Sequence, residues 1–539
     1  MVNDIKILKC DKRWKRFLLL GVSAVLTGLT VVFPQIGLLA WISLIPAGIV
    51  IFDVIASDGI RARGVYGYGF FFFACYFAVI FHWFVDMYPL DFIDGMTPAA
   101  AIFICLAGCI GLSCFQAAIG GFAFVLIRLL FRTHVLTRFK YLRPFCVAGI
   151  WAIHEWSQTL GWWGVPWGRL PMSQTNYVAG LQTASLFGSY FVSFVLVAVN
   201  MCAAYLLLHA FETSARKVMI CAVSAMLVFQ YGMGALLYFL PNDGEETVCI
   251  AAIQGNISSI DRWSEESTKE TLDVYWEYTR RAANEGADVV VWPETAMPWT
   301  FTEGSSYFTR CSALARETGV VLLVGAFTAG EDGELYNSMI CFNPDGSVEE
   351  NIYLKRRLVP FGEFAPFRQI LEVIAPPLSQ MVRNGEDLSA GERSEVFDTD
   401  KARVGSIICY DQLFENVSLD ATAAGAQLIT VSSNDSWFAS SAVPYMNNAQ
   451  SQLRAVENGR YVIRAANTGL TTVINSKGEV VETLPMLEKG MIVSEVQLNS
   501  NKTLYTSTGN VFILLLTVLF VGILSCEMGM KIYKRRKEI

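Results

Sequence analysis

A cysteine closes one short apolar run and a glutamate closes another, in a stretch of the chain that contains no histidine. Residues 402–411 read Ala-Arg-Val-Gly-Ser-Ile-Ile-Cys-Tyr-Asp, a β-run that stops on Cys409 and passes into a turn to helix. A nucleophile on such a strand-to-helix turn is lifted clear of its sheet, with fresh backbone N–H groups beside it. A cysteine that merely packs as a small hydrophobe at a strand end would read the same way. Residues 287–292 (Ala-Asp-Val-Val-Val-Trp) form a second buried strand, which runs into Pro293-Glu294. Both side chains are expected along one sheet edge, unless Trp-Pro-Glu is only a polar strand cap.

The four histidines, His82, His134, His154 and His209, all precede residue 241. Their absence from the rest excludes a Ser-His-Asp triad, a Cys-His dyad and most zinc hydrolase sites there. If Cys409 attacks, its proton has to go to a carboxylate, and Glu294 is the leading candidate for that base. A third element is Tyr353-Leu354-Lys355-Arg356-Arg357-Leu358-Val359-Pro360-Phe361-Gly362-Glu363-Phe364. A lysine here would hold a thiolate in its charged form and stabilise an oxyanion. The competing reading is a solvated basic face made by Lys355, Arg356 and Arg357.

These residues need a scaffold, and the pattern after Pro241 supplies one. Strands are expected at 247–254, 287–292, 320–327, 338–342 with 352–354, 404–408, 427–432, 461–465 and 470–475, with helices near 267–285 and 444–458. Short buried strands interleaved with amphipathic helices argue for a layered α/β sandwich.

The first 240 residues are of another kind. Hydrophobic residues make up 53% of the whole chain and charged residues 17%, an average that hides an almost continuously apolar first part. Spans of roughly 20 residues, the length a bilayer requires, are expected near 17–33, 36–56, 64–85, 99–131, 145–160, 178–210, 218–240 and 511–530. The basic opening (Lys9, Lys12, Arg13, Lys15, Arg16) resembles a signal peptide, but no A-x-A-like cleavage site follows, so a retained anchor is expected. The 99–131 run is long for one span, so tilting or extension beyond the bilayer is expected. Basic residues at the N-terminus, Arg61/Arg63, 132–143, Arg216/Lys217 and 531–537 alternate with loops that lack them. Eight spans with both termini cytoplasmic satisfy that alternation, which places 241–505 outside the cytoplasm. The expected domains are therefore 1–240, 241–505 and 506–539. The outer loop 161–169 is rich in tryptophan, either as an interfacial belt or as a lipid-binding mouth with Arg169 placed for a phosphate. His154 and Glu155 are ionisable groups at membrane depth with no partner evident in the sequence.

Thirteen cysteines do not form a disulfide framework or a zinc site: most lie in apolar helical runs, and no CxxC spacing links Cys249, Cys311, Cys341 and Cys409. Whether Cys249, Cys311 and Cys341 pair is open. The net charge of −7 makes no nucleic-acid-binding patch, because the basic residues cluster beside membrane spans.

Trp292-Pro293-Glu294, Lys355 ahead of Leu358-Val359-Pro360-Phe361-Gly362-Glu363, and Ile408-Cys409-Tyr410 followed by an acid resemble the Glu-Lys-Cys constellation of the nitrilase (carbon–nitrogen hydrolase) superfamily. Gln254-Gly255-Asn256 with Trp263 downstream, 358–364, Ser433-Asn434-Asp435-Ser436-Trp437-Phe438, Thr508-Gly509-Asn510 and the multi-span envelope are similar to its apolipoprotein N-acyltransferase family. The resemblance implies a polytopic α-helical membrane domain with an extracytoplasmic nitrilase-like αββα sandwich, in a bacterial inner membrane. It implies Glu294 as general base, Lys355 as transition-state stabiliser and Cys409 as nucleophile, with Glu363, Trp263, Tyr410, Asp411 and Trp437 in supporting or substrate-binding roles. It further implies a phospholipid acyl donor, diacylglyceryl-modified apolipoproteins as acceptors, and neither metal nor cofactor. One departure stands out: the family typically has Glu where this chain has Asp411, one methylene shorter, which leaves open its reach to Lys355 or to a substrate amine. The alternatives are a membrane-anchored amidase or nitrilase acting on an extracytoplasmic amide, and a transporter or scaffold with a degenerate nitrilase-like domain.

Overall fold

A computed structural model describes residues 10–538 except 58, 91–95, 162, 211, 242–243, 245, 258–264, 331–332, 375–385 and 439–440, with the backbone alone for 265–271, 298–299, 437 and 538. The chain forms two compact units: Met1–Pro89 with Thr97–Leu240 and Thr508–Ile539, and Leu90–Met96 with Pro241–Ser507.

The first unit is helical, and among the described residues seven of its helices are long and apolar enough to cross a membrane: Arg13–Val32, Pro34–Ile55, Ala62–Asp86, Pro98–Phe131, Ser189–Leu208, Thr213–Phe239 and Val511–Lys537. This is a membrane protein. Pro98–Phe131 is one unbroken helix of 34 residues, about 51 Å long at 1.5 Å per residue, against a hydrocarbon core of about 30 Å. The stretch expected as a span near 145–160 forms the 15-residue helix Arg143–Ser157, about 22 Å long. The stretch near 178–210 is divided at Gly188, whose φ of 79° ends the short helix Ala184–Phe187 before Ser189–Leu208 begins.

Pro34–Ile55 is irregular: a 3₁₀ stretch, Pro34–Trp41, breaks before the α-helical Ile45–Val50. Backbone groups freed by such a break need partners in an apolar surrounding. Asn200 provides two, donating from Nδ2 to the Ala40 carbonyl at 2.9 Å and accepting from the Leu44 N–H at 2.9 Å. Gln174 Nε2 donates to the Gly37 carbonyl at 2.9 Å. Glu155 has partners too: Trp151 Nε1 at 2.9 Å and the Leu170 N–H at 2.8 Å donate to it, as does the Ser193 hydroxyl. Arg169 is fully buried against the ring of Tyr190. The structure thus gives Arg169 to the interior of the helical unit instead of to a phosphate at an exposed mouth.

The second unit contains two sheets. Its strands are β1 (Thr247–Gln254), β2 (Val289–Val291), β3 (Met297–Thr300), β4 (Val321–Ala329), β5 (Leu335–Phe342), β6 (Tyr353–Leu354), β7 (Val396–Asp398), β8 (Arg403–Ile408), β9 (Leu428–Ser433), β10 (Val462–Ala466), β11 (Thr471–Ile474), β12 (Val480–Leu484) and β13 (Gly490–Gln497). The first sheet has the order β13-β1-β2-β4-β5-β6, with β3 beside β4; the second has the order β12-β11-β10-β9-β8-β7. Each has a parallel centre, β1-β2-β4 and β8-β9-β10, with antiparallel neighbours. Strands covered on both faces read as continuous apolar runs, which is why Val-Val-Val and Val-Gly-Ser-Ile-Ile lack alternation.

Helices Glu265–Asn284 and Ser306–Thr318 cover the outer face of the first sheet, where Leu272, Tyr275, Trp276, Cys311 and Leu314 share a core with Val290 and Trp292. Helices Glu415–Ala423 and Val443–Asn458 pack on the second sheet. The inner faces meet through apolar side chains and a few polar ties: Ser432 Oγ donates to the Trp292 carbonyl at 3.0 Å, and Thr471 Oγ1 to Gln254 Oε1 at 2.7 Å. The result is the expected αββα sandwich. Cys249, Cys311 and Cys341 are free thiols.

Candidate active site

The site lies where the carboxyl ends of β2 and β8 come together. β2 is pinned by Trp292, which is fully buried, stacks on Tyr275 with ring centroids 5.0 Å apart and donates from Nε1 to Thr279 Oγ1 at 3.0 Å. Beyond it the chain passes close over β4, where a Cβ on Gly325 would stand 2.2 Å from the Pro293 carbonyl, so only glycine admits this path. Glu294 follows and is buried.

Lys355 arrives from the other side of the sheet. It follows the two-residue β6, its backbone N–H donates to the Asn337 carbonyl at 2.8 Å, and its side chain is 1% exposed. Its Nζ donates to Glu294 Oε1 and to Glu363 Oε1, both at 2.8 Å. Asn337 Nδ2 bridges the same two oxygens at 2.7 and 3.2 Å. The outer oxygens are held by backbone: the Asn434 N–H donates to Glu294 Oε2 and the Val359 N–H to Glu363 Oε2, each at 2.8 Å. Burial would push the Lys355 ammonium down, but Glu294, Glu363 and Cys409 outweigh it and hold it well above the ordinary lysine range. The two carboxylates thus favour the charged ammonium, and the burial of Lys355 excludes the solvated basic face for it.

Cys409 leaves β8 with φ of 46°, the left-handed region that costs a non-glycine residue about 1–2 kcal/mol. The 3₁₀ turn Cys409–Leu413 and helix Glu415–Ala423 follow. This is the strand-to-helix turn expected from the sequence. The Cys409 side chain keeps some accessible surface although protein surrounds the sulfur. Burial pushes its thiol up strongly, Glu294 adds to this and Lys355 opposes it. A thiol in that state needs a base to take its proton.

Asp411 turns away from the reacting side. It is fully buried; Tyr353 Oη donates to its Oδ2 at 2.7 Å, the Ile408 N–H to the same oxygen at 3.1 Å, and the Arg357 N–H to Oδ1 at 2.8 Å. It thereby ties the cysteine turn to the strand and loop on either side of Lys355. Tyr410 is buried with its ring edge-on to Phe414 at 5.2 Å. Trp437 lies in the 3₁₀ turn Ser436–Phe438. Trp263 falls outside the described residues.

Thus Glu294, Lys355 and Glu363 make one hydrogen-bonded group, with Cys409 electrostatically coupled to it and Asp411 behind it. Asn337 and Tyr353 belong to this group and were not singled out by sequence reasoning. Tyr353 opened the Lys355 segment, so its place was at least bracketed; nothing in Tyr336-Asn337-Ser338 signals a role.

Residues 23–202 match the apolipoprotein N-acyltransferase N-terminal domain family, and residues 249–504 match the carbon-nitrogen hydrolase family. The chain is 31% identical over 373 residues to an apolipoprotein N-acyltransferase of Geobacter metallireducens, an alignment spanning 67% of this chain and 70% of that one. It is 29% identical over 443 residues to an apolipoprotein N-acyltransferase of Gloeobacter violaceus, spanning 81% of both. Among solved structures, Saccharomyces cerevisiae Nit3, a member of branch 10 of the nitrilase superfamily, aligns with 47% of this chain and 90% of its own at 21% identity, with a TM-score of 0.37.

Proposed function

This chain belongs to the apolipoprotein N-acyltransferase family, and we propose that it works through Glu294 as general base, Lys355 as oxyanion stabiliser and Cys409 as nucleophile. It is a membrane-bound acyltransferase of lipoprotein biosynthesis. What supports the residue roles most is the placement of one lysine ammonium between Glu294 and Glu363 at the strand ends beside the Cys409 turn.

The acyl donor is a phospholipid. Outside the cytoplasm no ATP is expected, so the acyl group must come from an existing ester. A thioester on Cys409 retains most of that ester's reactivity, and amide formation makes the second step favourable. In the first step Glu294 takes the Cys409 proton, sulfur attacks the ester carbonyl, and Lys355 with the Tyr410 N–H holds the oxyanion. Glu294 then returns the proton to the departing alcohol, and a lysophospholipid leaves. In the second step the α-amine of the S-diacylglyceryl cysteine attacks the thioester, loses its proton to Glu294, and Cys409 is regenerated as the thiol. This is ping-pong covalent catalysis. Glu363 fixes Lys355 and lets one ammonium serve in both steps.

The topology that accompanies this chemistry has eight crossings, with residues 1–240 and 506–539 in the inner membrane, both termini cytoplasmic, and 241–505 on the extracytoplasmic face. The basic residues before Arg13–Val32 and at the end of Val511–Lys537 support it. Phe361 and Phe367, half or more exposed on the loop after Lys355, suit a rim that receives acyl chains.

Incubation with phospholipid carrying a labelled acyl chain, followed by a diacylated lipopeptide, tests the reading. Lysophospholipid and an N-acylated peptide are expected. Free fatty acid without peptide acylation would assign the chain to the hydrolase alternative.

A further inference from the structure

We propose that Ser433, the last residue of β9, is a further catalytic residue whose hydroxyl turns to donate a hydrogen bond to the Cys409 sulfur as the thiolate forms. The inference rests on Cys409 being the nucleophile.

The register of the second sheet brings the two together. β8 and β9 are parallel, with Ile408 opposite Ser432, so the next residue of each strand, Cys409 and Ser433, emerges side by side. The Ser433 side chain is fully buried beside Cys409, where it acts against burial in favouring the thiolate. In the resting arrangement its hydroxyl donates to Asp435 Oδ1 at 2.9 Å. Ser433 Oγ also accepts from Arg464 Nη2 at 3.4 Å; a hydroxyl has one proton and two acceptor lone pairs, so one lone pair remains for the thiol while Ser433 donates to Asp435.

The surroundings allow that proton to be redirected cheaply. Asp435 is fully buried, and its Oδ2 is paired with Arg464 Nη2, also fully buried. The rest of the guanidinium is fixed: Nη1 donates to Gln412 Oε1 at 2.6 Å and Nε to the Leu470 carbonyl at 3.1 Å. Asn447 Nδ2 stands 3.5 Å from Asp435 Oδ1. Asp435 therefore keeps its charge partner and an amide neighbour when Ser433 swings away. A Cβ on Gly469 would fall 2.0 Å from Asp435 Oδ2, so the pocket fits this one carboxylate position.

The thiolate has need of such a donor. The charged groups facing the sulfur are Glu294, Lys355 and Asp435. Lys355 is the only cation among the three, and it is already shared between two carboxylates. In a low-dielectric site a neutral donor to a forming anion is worth more than in water. In the step itself the S–H bond breaks and the proton passes to the Glu294 carboxylate. The Ser433 O–H leaves Asp435 Oδ1 and points to sulfur, with no proton leaving Ser433.

The test is the pH dependence of Cys409 alkylation by iodoacetamide in the full-length protein in lipid or detergent, read by mass spectrometry of the Cys409 peptide. Ser433→Ala is expected to move the midpoint up by about one unit and to slow alkylation about tenfold at a fixed neutral pH, the size of one hydrogen bond to a charged group. Ser433→Thr, which keeps the hydroxyl, is expected to restore the parent profile. A Ser433→Ala profile superimposed on the parent, or a Ser433→Thr profile that stays shifted with Ser433→Ala, overturns the assignment. If Ser433→Ala does not fold, Ser433→Cys, a weaker donor of similar size, is read by the same two outcomes. Acyl transfer by Cys409→Ser tests the nucleophile separately: transfer surviving there removes the reading beneath this inference, whereas an unmoved alkylation profile removes the inference alone.

Discussion

Two buried knots of charge stand at the strand ends of the sandwich, and they are built on different arithmetic. Around Arg464 one guanidinium meets one carboxylate, Asp435, and it also donates to the Gln412 amide oxygen, the Leu470 carbonyl and the Ser433 hydroxyl. Around Lys355 one ammonium meets two carboxylates, Glu294 and Glu363, beside the Asn337 amide. The first knot is balanced, and a planar fork with fixed donors suits a task of holding geometry. The second carries a carboxylate in excess of its cation, next to a thiol whose proton must be removed. A balanced pair has nothing left to give a substrate; the unbalanced triad does. We therefore assign chemistry to the Lys355 knot and positioning to the Arg464 knot.

That division can be broken by mutation. Glu294→Gln keeps the shape of the Lys355 knot but removes the base, and acyl-enzyme formation should fall by about 10²–10⁴-fold, the usual worth of general base catalysis, with little change in melting temperature. An equal loss of stability would make Glu294 structural. Arg464→Leu should do the opposite, destabilising the protein by about 3–5 kcal/mol because Asp435 is left buried without its cation. A denaturant midpoint unchanged from the parent would show that this pair holds nothing.

Asp411 sharpens the contrast, since it sits behind the Lys355 knot yet is satisfied by Tyr353 and two backbone N–H groups. Burial pushes its carboxyl up to about 6 from an ordinary 3.8, against the opposing pull of Tyr353, Lys355 and the backbone. The folded protein then binds this proton better than the unfolded chain. The contribution to stability is full below about pH 4 and is lost as pH rises through 6, roughly 3 kcal/mol over the interval. Asp411→Asn should flatten that part of the stability–pH curve, which chemical denaturation at several pH values would read. Glu363→Gln is the mildest change. It keeps a hydrogen-bond acceptor for the Val359 N–H and frees Lys355 to pair with Glu294 alone, so single-turnover acylation should slow about tenfold. A loss as large as that of Glu294→Gln would make Glu363 a second base.

Much of this was legible in the sequence because the features are local. Apolar runs that end on Glu294 and Cys409 set two strands and their exits, and the expected strands lie within two residues of those observed except at β5, which begins at Leu335 instead of residue 338. The parts that escaped are short, at an edge, or long-range. β3 contains Pro298, which argues against a strand, and among the described residues it pairs with β4 alone. β7 has three residues. β12 is exposed along most of its length and β13 alternates between buried and exposed positions, so neither presents a continuous buried run. Asp411 is one methylene shorter than the family's Glu, and besides the nearby Ile408 N–H its partners Tyr353 and Arg357 lie 58 and 54 residues away, so the inward anchoring spans distant parts of the chain. Asn337 reaches Glu294 across 43 residues and escaped for the same reason. In the helical unit, composition identified the spans, yet the break in Pro34–Ile55 depends on Asn200, about 160 residues downstream in a separate helix.

The assignment of Cys409 as the carrier of the acyl group is tested most directly by mass spectrometry of its peptide after the purified protein meets phospholipid without an acceptor. A mass gain of one fatty acyl group on Cys409, discharged when a diacylated lipopeptide is added and absent in Glu294→Gln, is the predicted result. An unmodified Cys409 peptide in protein that is turning over, or an acyl group found on another residue, would contradict it.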